Sequence, residues 1–299
     1  MRIVAILQTY NEQRFIGGCL DHLAKHGIAA YLIDNESTDE TVAIAEQRLT
    51  GNLIGIESLP RDGNFELQRQ LVRKEELAQS LDADWFIHLD ADERRVSNDP
   101  RHSLADAIAE VDEAGFNAVN FLEFAFIPTR EAPDHDHPDY EQTMRFYYPY
   151  LPRFPHRLNA WKRQDGPIEL SNGGHRVRFP GLSMAPESMY MRHYLFLSVP
   201  HAARKFGSER YDRSEVAFGW HGWRARLQPQ MIELPAQDEL RRYEADHLLD
   251  PSEPREQHIA EQWAPQRRIP AKRGRSGKRR STAARLKRAI NAVTAKRRG

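Results

Sequence analysis

Residues 85–93, Trp-Phe-Ile-His-Leu-Asp-Ala-Asp-Glu, join the pattern of a buried strand to an acidic end. The first five residues are mostly apolar, and aromatic and β-branched side chains are typical of a packed strand. Three carboxylates follow within four positions, at Asp90, Asp92 and Glu93. Because like charges repel, we expect a divalent cation with oxygen ligands among them, while a solvated acidic turn explains the pattern alone equally well.

The residues around this segment alternate between strand and helix patterns. Strands are predicted at residues 2–7, 29–33, 52–59, 85–89 and 116–126, and helices at 15–27, 38–48 and 65–81. Ser37 and Glu40 have the spacing of a capping box at the start of the second helix. The strict alternation up to residue 89 predicts an α/β fold with a largely parallel sheet.

Polar side chains follow three of the predicted strands, where each strand ends. They are Thr9, Asn11 and Glu12 after the first strand, Asp34 after the second, and Asp90 and Asp92 after the fourth. Ligands of parallel sheets bind outside the carboxyl ends of the strands, so these side chains are expected to line one crevice. The chain has neither G-x-G-x-x-G after the first strand nor G-x-x-x-x-G-K-[ST], which argues against a dinucleotide oxidoreductase and a P-loop enzyme.

Three segments together resemble the family 2 glycosyltransferases of the GT-A fold. They are residues 9–12, 34–41 and 84–93, in the family's order and approximate spacing. The resemblance covers about the first 95 residues well. It implies a nucleoside-diphosphate-sugar donor whose nucleobase contacts Asp34, with Thr9, Asn11 and Glu12 nearby. Asp90 and Asp92 would form the Asp-x-Asp motif, which holds the ribose and the metal that bridges the donor diphosphate.

The same resemblance implies two further contacts. Arg69 falls near a family position that contacts the nucleotide, and Arg73 is nearly as well placed. His193 fits the histidine that completes the metal site in a bacterial subgroup, and imidazole beside carboxylate suits Mn²⁺ as well as Mg²⁺. An ordinary strand residue is the alternative reading of His193. Lys205 and Arg204 either neutralise a diphosphate or face water.

An inverting transferase needs a carboxylate that takes the proton of the acceptor hydroxyl. Glu169 and Asp165 lie where the family often places this base, although the commoner Glu-Asp pair is missing. Glu169 stands between apolar Ile168 and Leu170, so we expect a dry site that raises its pKa, or else a residue on a strand surface. The Asp-His-Asp-His run at 134–137 is expected to be a solvated loop rather than a metal site.

Charge is distributed unevenly along the chain. The formal net charge is zero, yet residues 267–299 hold 14 of the 43 Lys and Arg and no acid, which leaves 29 bases against 43 acids in residues 1–266. The basic end is predicted to be disordered up to 280 and then a short amphipathic helix. Such a segment suits an anionic membrane surface, a solvated tail is the alternative, and nucleic acid is not the expected partner.

We predict four regions and a cytoplasmic location, with peripheral contact at the inner face of the membrane. They are a nucleotide-sugar half at 1–126, an acceptor half at 127–235, a helix within 236–266 that covers 237–258, and the basic tail at 267–299. A single cysteine, Cys19, excludes an internal disulfide and suits a reducing compartment. Residues 1–7 are too short for a signal-peptide core, and no apolar run has transmembrane length.

The predicted function is metal-dependent, inverting transfer of a sugar from a nucleoside diphosphate to an acceptor hydroxyl. We expect the acceptor to be a glycan or glycolipid of a bacterial cell-surface polysaccharide. A nucleotidyltransferase remains open because α/β folds with acidic metal sites also serve that chemistry. A non-catalytic scaffold that docks through its basic tail is the third alternative.

Overall fold

The computed structural model describes residues 1–61, 65–207, 224, 227–244 and 248–263. Its strands are β1 (Ile3–Thr9), β2 (Ala29–Asp34), β3 (Leu53–Ser58), β4 (Trp85–Asp90), β5 (Glu93–Val96), β6 (Ala118–Phe126), β7 (Phe146–Tyr150), β8 (Arg157–Lys162), β9 (Glu169–Ser171), β10 (Arg176–Arg178), β11 (Met189–Tyr194) and β12 (Arg241–Arg242). Its α-helices are α1 (Ile16–Lys25), α2 (Thr41–Glu46), α3 (Leu67–Ser80), α4 (Leu104–Glu113), α5 (Tyr140–Thr143), α6 (Val199–Gly207) and α7 (Ile259–Trp263).

A continuous sheet runs in the order β12-β7-β6-β8-β4-β1-β2-β3. The strands β4, β1, β2 and β3 are parallel, whereas β8, β6, β7 and β12 continue the sheet with antiparallel pairs. β11 lies parallel to β6 and antiparallel to β5. The predicted α/β fold with a largely parallel sheet is therefore confirmed.

The alternation of side chains along the central strands divides the core around them into two layers. In β1, Ile3, Ala5 and Leu7 face one apolar cluster, and Val4 and Ile6 face the other. The first cluster packs against α1 and α4, and the second packs against α3 and the β9–β10 hairpin. Both faces of the central strands are thus covered, as is typical of parallel sheets.

Two local predictions are wrong. The described part of residues 237–258 contains a short 3₁₀ turn at Gln237–Glu239 and the strand β12, and no α-helix. Pro251 and Pro254 break this segment because proline lacks the amide that an interior helical turn requires. The capping box at Ser37 is also absent, since α2 begins at Thr41.

The predicted halves 1–126 and 127–235 lie in one compact unit, Met1–Pro265. None of the helices in the described residues combines the length and the apolar character needed to cross a bilayer. The basic tail at 267–299 lies outside the described residues.

Candidate active site

The carboxyl ends of β1, β2 and β4 meet at one edge of the sheet. Thr9 is the register partner of Asp34, and Gln8 is the register partner of Asp90. Asp34 is buried; its Oδ1 accepts a hydrogen bond from Thr9 Oγ1 at 3.4 Å, and its Oδ2 accepts one from Ser37 N at 2.9 Å. The structure therefore brings Thr9, Asp34 and Asp90 together, with the Asp34 carboxylate held in a fixed orientation.

Asn11 connects the loops that follow β1 and β2. Its φ is +56°, a left-handed conformation that asparagine tolerates better than most residues. Its Oδ1 accepts a hydrogen bond from Thr38 N at 2.8 Å, and its backbone N–H donates to Ser37 Oγ at 2.9 Å. The Ser37 hydroxyl thus accepts a hydrogen bond from the neighbouring loop instead of capping α2. These contacts place Asn11 in the scaffold of the site, and its side chain is exposed.

Two of the three acids at residues 90–93 have their own cation. Asp92 Oδ2 accepts a hydrogen bond from Lys205 Nζ at 2.8 Å, and Glu93 Oε2 accepts one from Arg95 Nη2 at 2.9 Å. Asp90 Oδ1 is buried and has no hydrogen-bond partner among the described residues. Side chains of the protein therefore relieve much of the repulsion that we expected a divalent cation to relieve, and Asp90 retains an unused acceptor.

His193 lies beside Asp92. Its Nε2 is 3.4 Å from Asp92 Oδ2, and its Nδ1 is 2.6 Å from Glu123 Oε1. Glu123 is buried and also accepts hydrogen bonds from Arg157 Nε at 2.8 Å and from His156 at 3.2 Å. Burial opposes the charged imidazolium, but the carboxylates of Asp92 and Glu123 outweigh this effect and raise the pKa of His193 to about 9.

The sequence analysis did not identify Glu123. The available signal was a single acid in the mostly apolar sequence of β6. Buried carboxylates are rare unless they are paired, so such an acid indicates a cationic partner elsewhere in the chain. The partners here are 33 to 70 residues away in sequence, which no local pattern reveals.

Lys205 lies between two carboxylates on the other side of Asp92. Its Nζ is 2.8 Å from Asp92 Oδ2 and 3.3 Å from Glu12 Oε1. Burial raises the pKa of Glu12 to about 7, because the opposing attraction of Lys205 is partly cancelled by repulsion from Asp92. Burial acts in the same direction on Asp92, but Lys205 and His193 hold the pKa of Asp92 well below its usual range. Glu12 and Asp92 therefore share one cation unequally.

The two arginines proposed on α3 have different surroundings. Arg69 is half-buried. Arg73 donates to Glu57 Oε1 at 2.6 Å and to Glu76 Oε2 at 2.8 Å, so its guanidinium is engaged by the carboxylates of β3 and of its own helix. The contact of Arg69 with a nucleotide stays a prediction.

Two buried polar residues on α3 were missed by the sequence analysis. Gln70 donates to Asn35 Oδ1 at 3.1 Å, while its own Oε1 has no hydrogen-bond partner among the described residues. Lys74 lies one turn further, with Nζ 3.2 Å from His88 Nδ1, and burial lowers its pKa to about 8. A glutamine and a lysine four residues apart on the sheet-facing side of an amphipathic helix were the signal that could have found them.

The expected dry surroundings of Glu169 are not found. Its side chain is 65% exposed and lies 3.9 Å from Arg178 Nη1. Neighbouring side chains of a strand point to opposite faces, so Ile168 and Leu170 enter the core while Glu169 faces out. Asp165 is exposed as well. The structure does not bring either carboxylate into contact with Asp92.

The Asp-His-Asp-His run is held by protein contacts. Asp136 pairs with Arg14 at 2.8 Å and with Arg204 at 2.7 Å, and His135 Nδ1 lies 2.8 Å from Thr143 Oγ1. In the part of the chain that the structure describes, no group of three or more His, Cys, Asp or Glu is arranged to hold a metal by itself.

Comparison with known families identifies the domain that carries this site. A family model described as glycosyl transferase family 2 matches residues 4–159, from β1 into β8. The chain belongs to glycosyl transferase family 2. The matched region contains Thr9, Asp34, Asp90 and Asp92, and it ends before His193 and Lys205. The resemblance seen in the three sequence segments is confirmed, and the fold is of the GT-A type.

Solved structures of family 2 type show distant similarity. One is S. aureus TarS 1–349 in complex with UDP, at 15% identity and a TM-score of 0.40, with 66% of this chain and 61% of that chain covered. Another is glucosyl-3-phosphoglycerate synthase from Mycobacterium tuberculosis in complex with Mn²⁺, UDP and glucosyl-3-phosphoglycerate, at 16% identity and a TM-score of 0.30, with 41% of this chain and 44% of that chain covered. The chain therefore spans about three fifths of the length of TarS 1–349. No curated protein matches the chain.

Proposed function

We propose that this protein transfers a sugar from a nucleoside-diphosphate donor to an acceptor hydroxyl, with inversion and with the help of a divalent cation. The observation that carries the proposal is the convergence of Asp34, Asp90, Asp92 and His193 at one edge of the sheet. The family 2 domain supports glycosyl transfer as the reaction class. The orientation of Asp34 by two hydrogen bonds suits recognition of a nucleobase.

The residues around Asp92 fit a divalent cation of the Mn²⁺ or Mg²⁺ type. Asp92 Oδ2 and His193 Nε2 are 3.4 Å apart, a separation at which both atoms can bind one ion. Glu123 lies behind His193 in the position of the carboxylate that commonly orients a metal-binding histidine. The buried unpaired oxygen of Asp90 is a further acceptor. Since the described residues offer no protein-only site, the remaining ligands are expected to be diphosphate oxygens and water.

Two positive charges at the site, a divalent cation and Lys205, would stabilise the leaving diphosphate. A bound divalent cation supplies positive charge to the leaving diphosphate, which is the main chemical requirement of this reaction class. Lys205 adds a second positive charge beside Asp92. His193 contributes to the ion through Nε2 only when that nitrogen is deprotonated, and Glu123 keeps Nδ1 protonated and fixed.

The acceptor side of the proposal depends on the sequence alone. We propose a glycan or lipid-linked acceptor of a cell-surface polysaccharide, with peripheral membrane contact through residues 267–299. A carboxylate is required to take the proton of the acceptor hydroxyl, and Glu169 with Asp165 stays a prediction for that role. The side chain of Glu169 is 65% exposed, so it lacks the dry surroundings that we expected for this base.

The test is a product assay with a panel of nucleoside-diphosphate sugars and Mn²⁺. We expect one donor to be consumed with release of the nucleoside diphosphate, and we expect Asp92→Asn to abolish this release. Asp82→Asn is the matched control because Asp82 is exposed and pairs only with Arg2 in the described contacts. Release of pyrophosphate from a nucleoside triphosphate and a sugar phosphate would instead establish a nucleotidyltransferase. Donor binding without any turnover would favour the scaffold.

A further inference from the structure

The side chain of Lys205 is 20% exposed, and its ammonium contacts protein groups on three sides. Its ammonium lies 2.8 Å from Asp92 Oδ2, 3.3 Å from Glu12 Oε1 and 4.7 Å from the centre of the Phe15 ring. These contacts are anionic on two sides and aromatic on the third, and each of them favours a cation. Four residues separate β11, the strand of His193, from helix α6, which carries Lys205. Both cations that approach Asp92 therefore come from one continuous segment.

This position conflicts with a divalent cation on Asp92. Lys205 Nζ and His193 Nε2 both approach the same oxygen, Asp92 Oδ2, at 2.8 and 3.4 Å. A divalent ion bound at that oxygen would meet the ammonium at close range, and like charges in a buried site repel strongly. Asp92 Oδ2 therefore cannot bind the ion while it accepts its hydrogen bond from Lys205.

A diphosphate resolves the conflict because it offers the ammonium a new partner. Its oxygens carry several negative charges, and hydrogen bonds between ammonium and phosphate are among the strong charge-assisted ones. Lysine has a flexible four-carbon stem that can redirect its charge without moving the backbone. Glu12, the second carboxylate of Lys205, also lies beside the crevice and remains available to it.

We propose that Lys205 changes partner when the donor binds, from Asp92 to the diphosphate, and so makes divalent-cation binding depend on the nucleotide. The inference rests on the nucleoside-diphosphate site of the proposed function. In the free protein Lys205 neutralises Asp92 and excludes the ion. With the diphosphate present, Asp92 is released for the ion beside His193. By linkage, the nucleotide and the ion each raise the affinity of the other by the same factor.

The experiment is a titration of Mn²⁺, followed by electron paramagnetic resonance, in the absence and presence of saturating UDP. We expect wild type to bind Mn²⁺ at least about tenfold more tightly with UDP, within the usual range of coupling factors. Lys205→Gln is expected to bind Mn²⁺ without nucleotide about tenfold or more tightly than wild type, and Lys205→Arg is expected to behave like wild type. Lys25→Gln is the control, because it removes the same charge from an exposed position at the end of α1.

Several outcomes would overturn the proposal. One such outcome is equal Mn²⁺ affinity of wild type with and without a nucleoside diphosphate that it binds. This outcome needs no variant, so the proposal stays testable if Lys205→Gln does not fold. The proposal is also overturned if folded Lys205→Gln binds Mn²⁺ without nucleotide no more tightly than wild type does. Lys205 would then be a structural ion-pair partner only. Failure of the proposed function is a different result: wild type then binds neither UDP nor any other nucleoside diphosphate at any Mn²⁺ concentration.

Discussion

Replacing Glu123 by glutamine removes one negative charge from the buried network behind His193. The carboxylate accepts hydrogen bonds from Arg157 Nε at 2.8 Å and His156 Nε2 at 3.2 Å, and Glu123 Oε1 lies 2.6 Å from His193 Nδ1. Glutamine keeps the shape of the side chain but loses the charge. The amide oxygen can still accept a hydrogen bond, but the amide nitrogen would face donors from which it cannot accept.

The expected loss of stability follows from the partners that remain. Removing one member of a buried ion pair typically costs about 3–5 kcal/mol, because the other charge stays buried and uncompensated. Glu93 Oε1 still lies 3.5 Å from Arg157 Nη1, so part of the positive charge keeps a partner. We therefore expect the free energy of unfolding to fall by about 3 kcal/mol, the lower end of that range. The midpoint of thermal unfolding should fall by roughly 5 °C, since the entropy of unfolding is about 2.1 cal/mol/K per residue over 299 residues.

The assay is urea unfolding of wild type and Glu123→Gln, with Glu113→Gln as the matched control. Glu113 is the exposed last residue of α4, and its replacement should change the free energy of unfolding by less than about 0.5 kcal/mol. A second readout is Mn²⁺ affinity in the presence of UDP, which should fall by about 10–100-fold if Glu123 orients His193 toward the ion. Equal stability of the two variants would refute the buried ionic network. Lower stability with unchanged Mn²⁺ affinity would refute the role toward His193.

Three further predictions concern other parts of the chain. Burial is the main cause that lowers the pKa of His22 to about 2, so folding favours its neutral form, and this stability is present above pH 6.5 and lost as the pH falls below it. His22→Gln should therefore weaken the loss of stability in acid-unfolding curves, and an unchanged curve would contradict this reasoning. Glu169→Gln should leave UDP binding intact and lower kcat by at least about 100-fold if Glu169 is the base, and near-normal turnover would send the search to Asp165. Deletion of residues 267–299 removes 14 positive charges and should weaken sedimentation with anionic vesicles at low salt, while equal binding would end the anchor hypothesis.

The first half of the fold could be predicted because its signals are local. Each of β1, β2 and β4 is an apolar run that stops at polar residues, and α1 and α3 have apolar residues at helical spacing. Parallel pairing then fixes where the strand ends meet, so the crevice around Asp34 and Asp90 followed from the order of the elements.

The errors arose where one pattern fits two structures. Apolar neighbours of Glu169 suggested a dry pocket, but in a strand the neighbours point to the opposite face. The spacing of Ser37 and Glu40 suggested a cap, but the Ser37 hydroxyl is used by Asn11 across the loops. The stripe of apolar residues at 237–258 suggested a helix, although two prolines interrupt it.

The electrostatics of the site could not be derived from the sequence. Lys205 is 113 residues from Asp92, and Glu123 is 70 residues from His193, so only the folded chain shows these pairs. The sequence left open whether Lys205 contacts a diphosphate or faces water. The structure places it in contact with Asp92. The same applies to Gln70 and Lys74, whose burial depends on the packing of α3 against β1 and β4.

The most direct test of a nucleoside-diphosphate site at Asp92 is calorimetric titration with UDP and other nucleoside diphosphates, with and without Mn²⁺. Wild type, Asp92→Asn and the surface control Asp82→Asn are compared under the same conditions. The account predicts that wild type and Asp82→Asn bind one of these nucleotides with an affinity that rises when Mn²⁺ is added, and that Asp92→Asn loses the Mn²⁺-dependent part. Absence of nucleotide binding by wild type, or an unchanged effect of Mn²⁺ in Asp92→Asn, would contradict it.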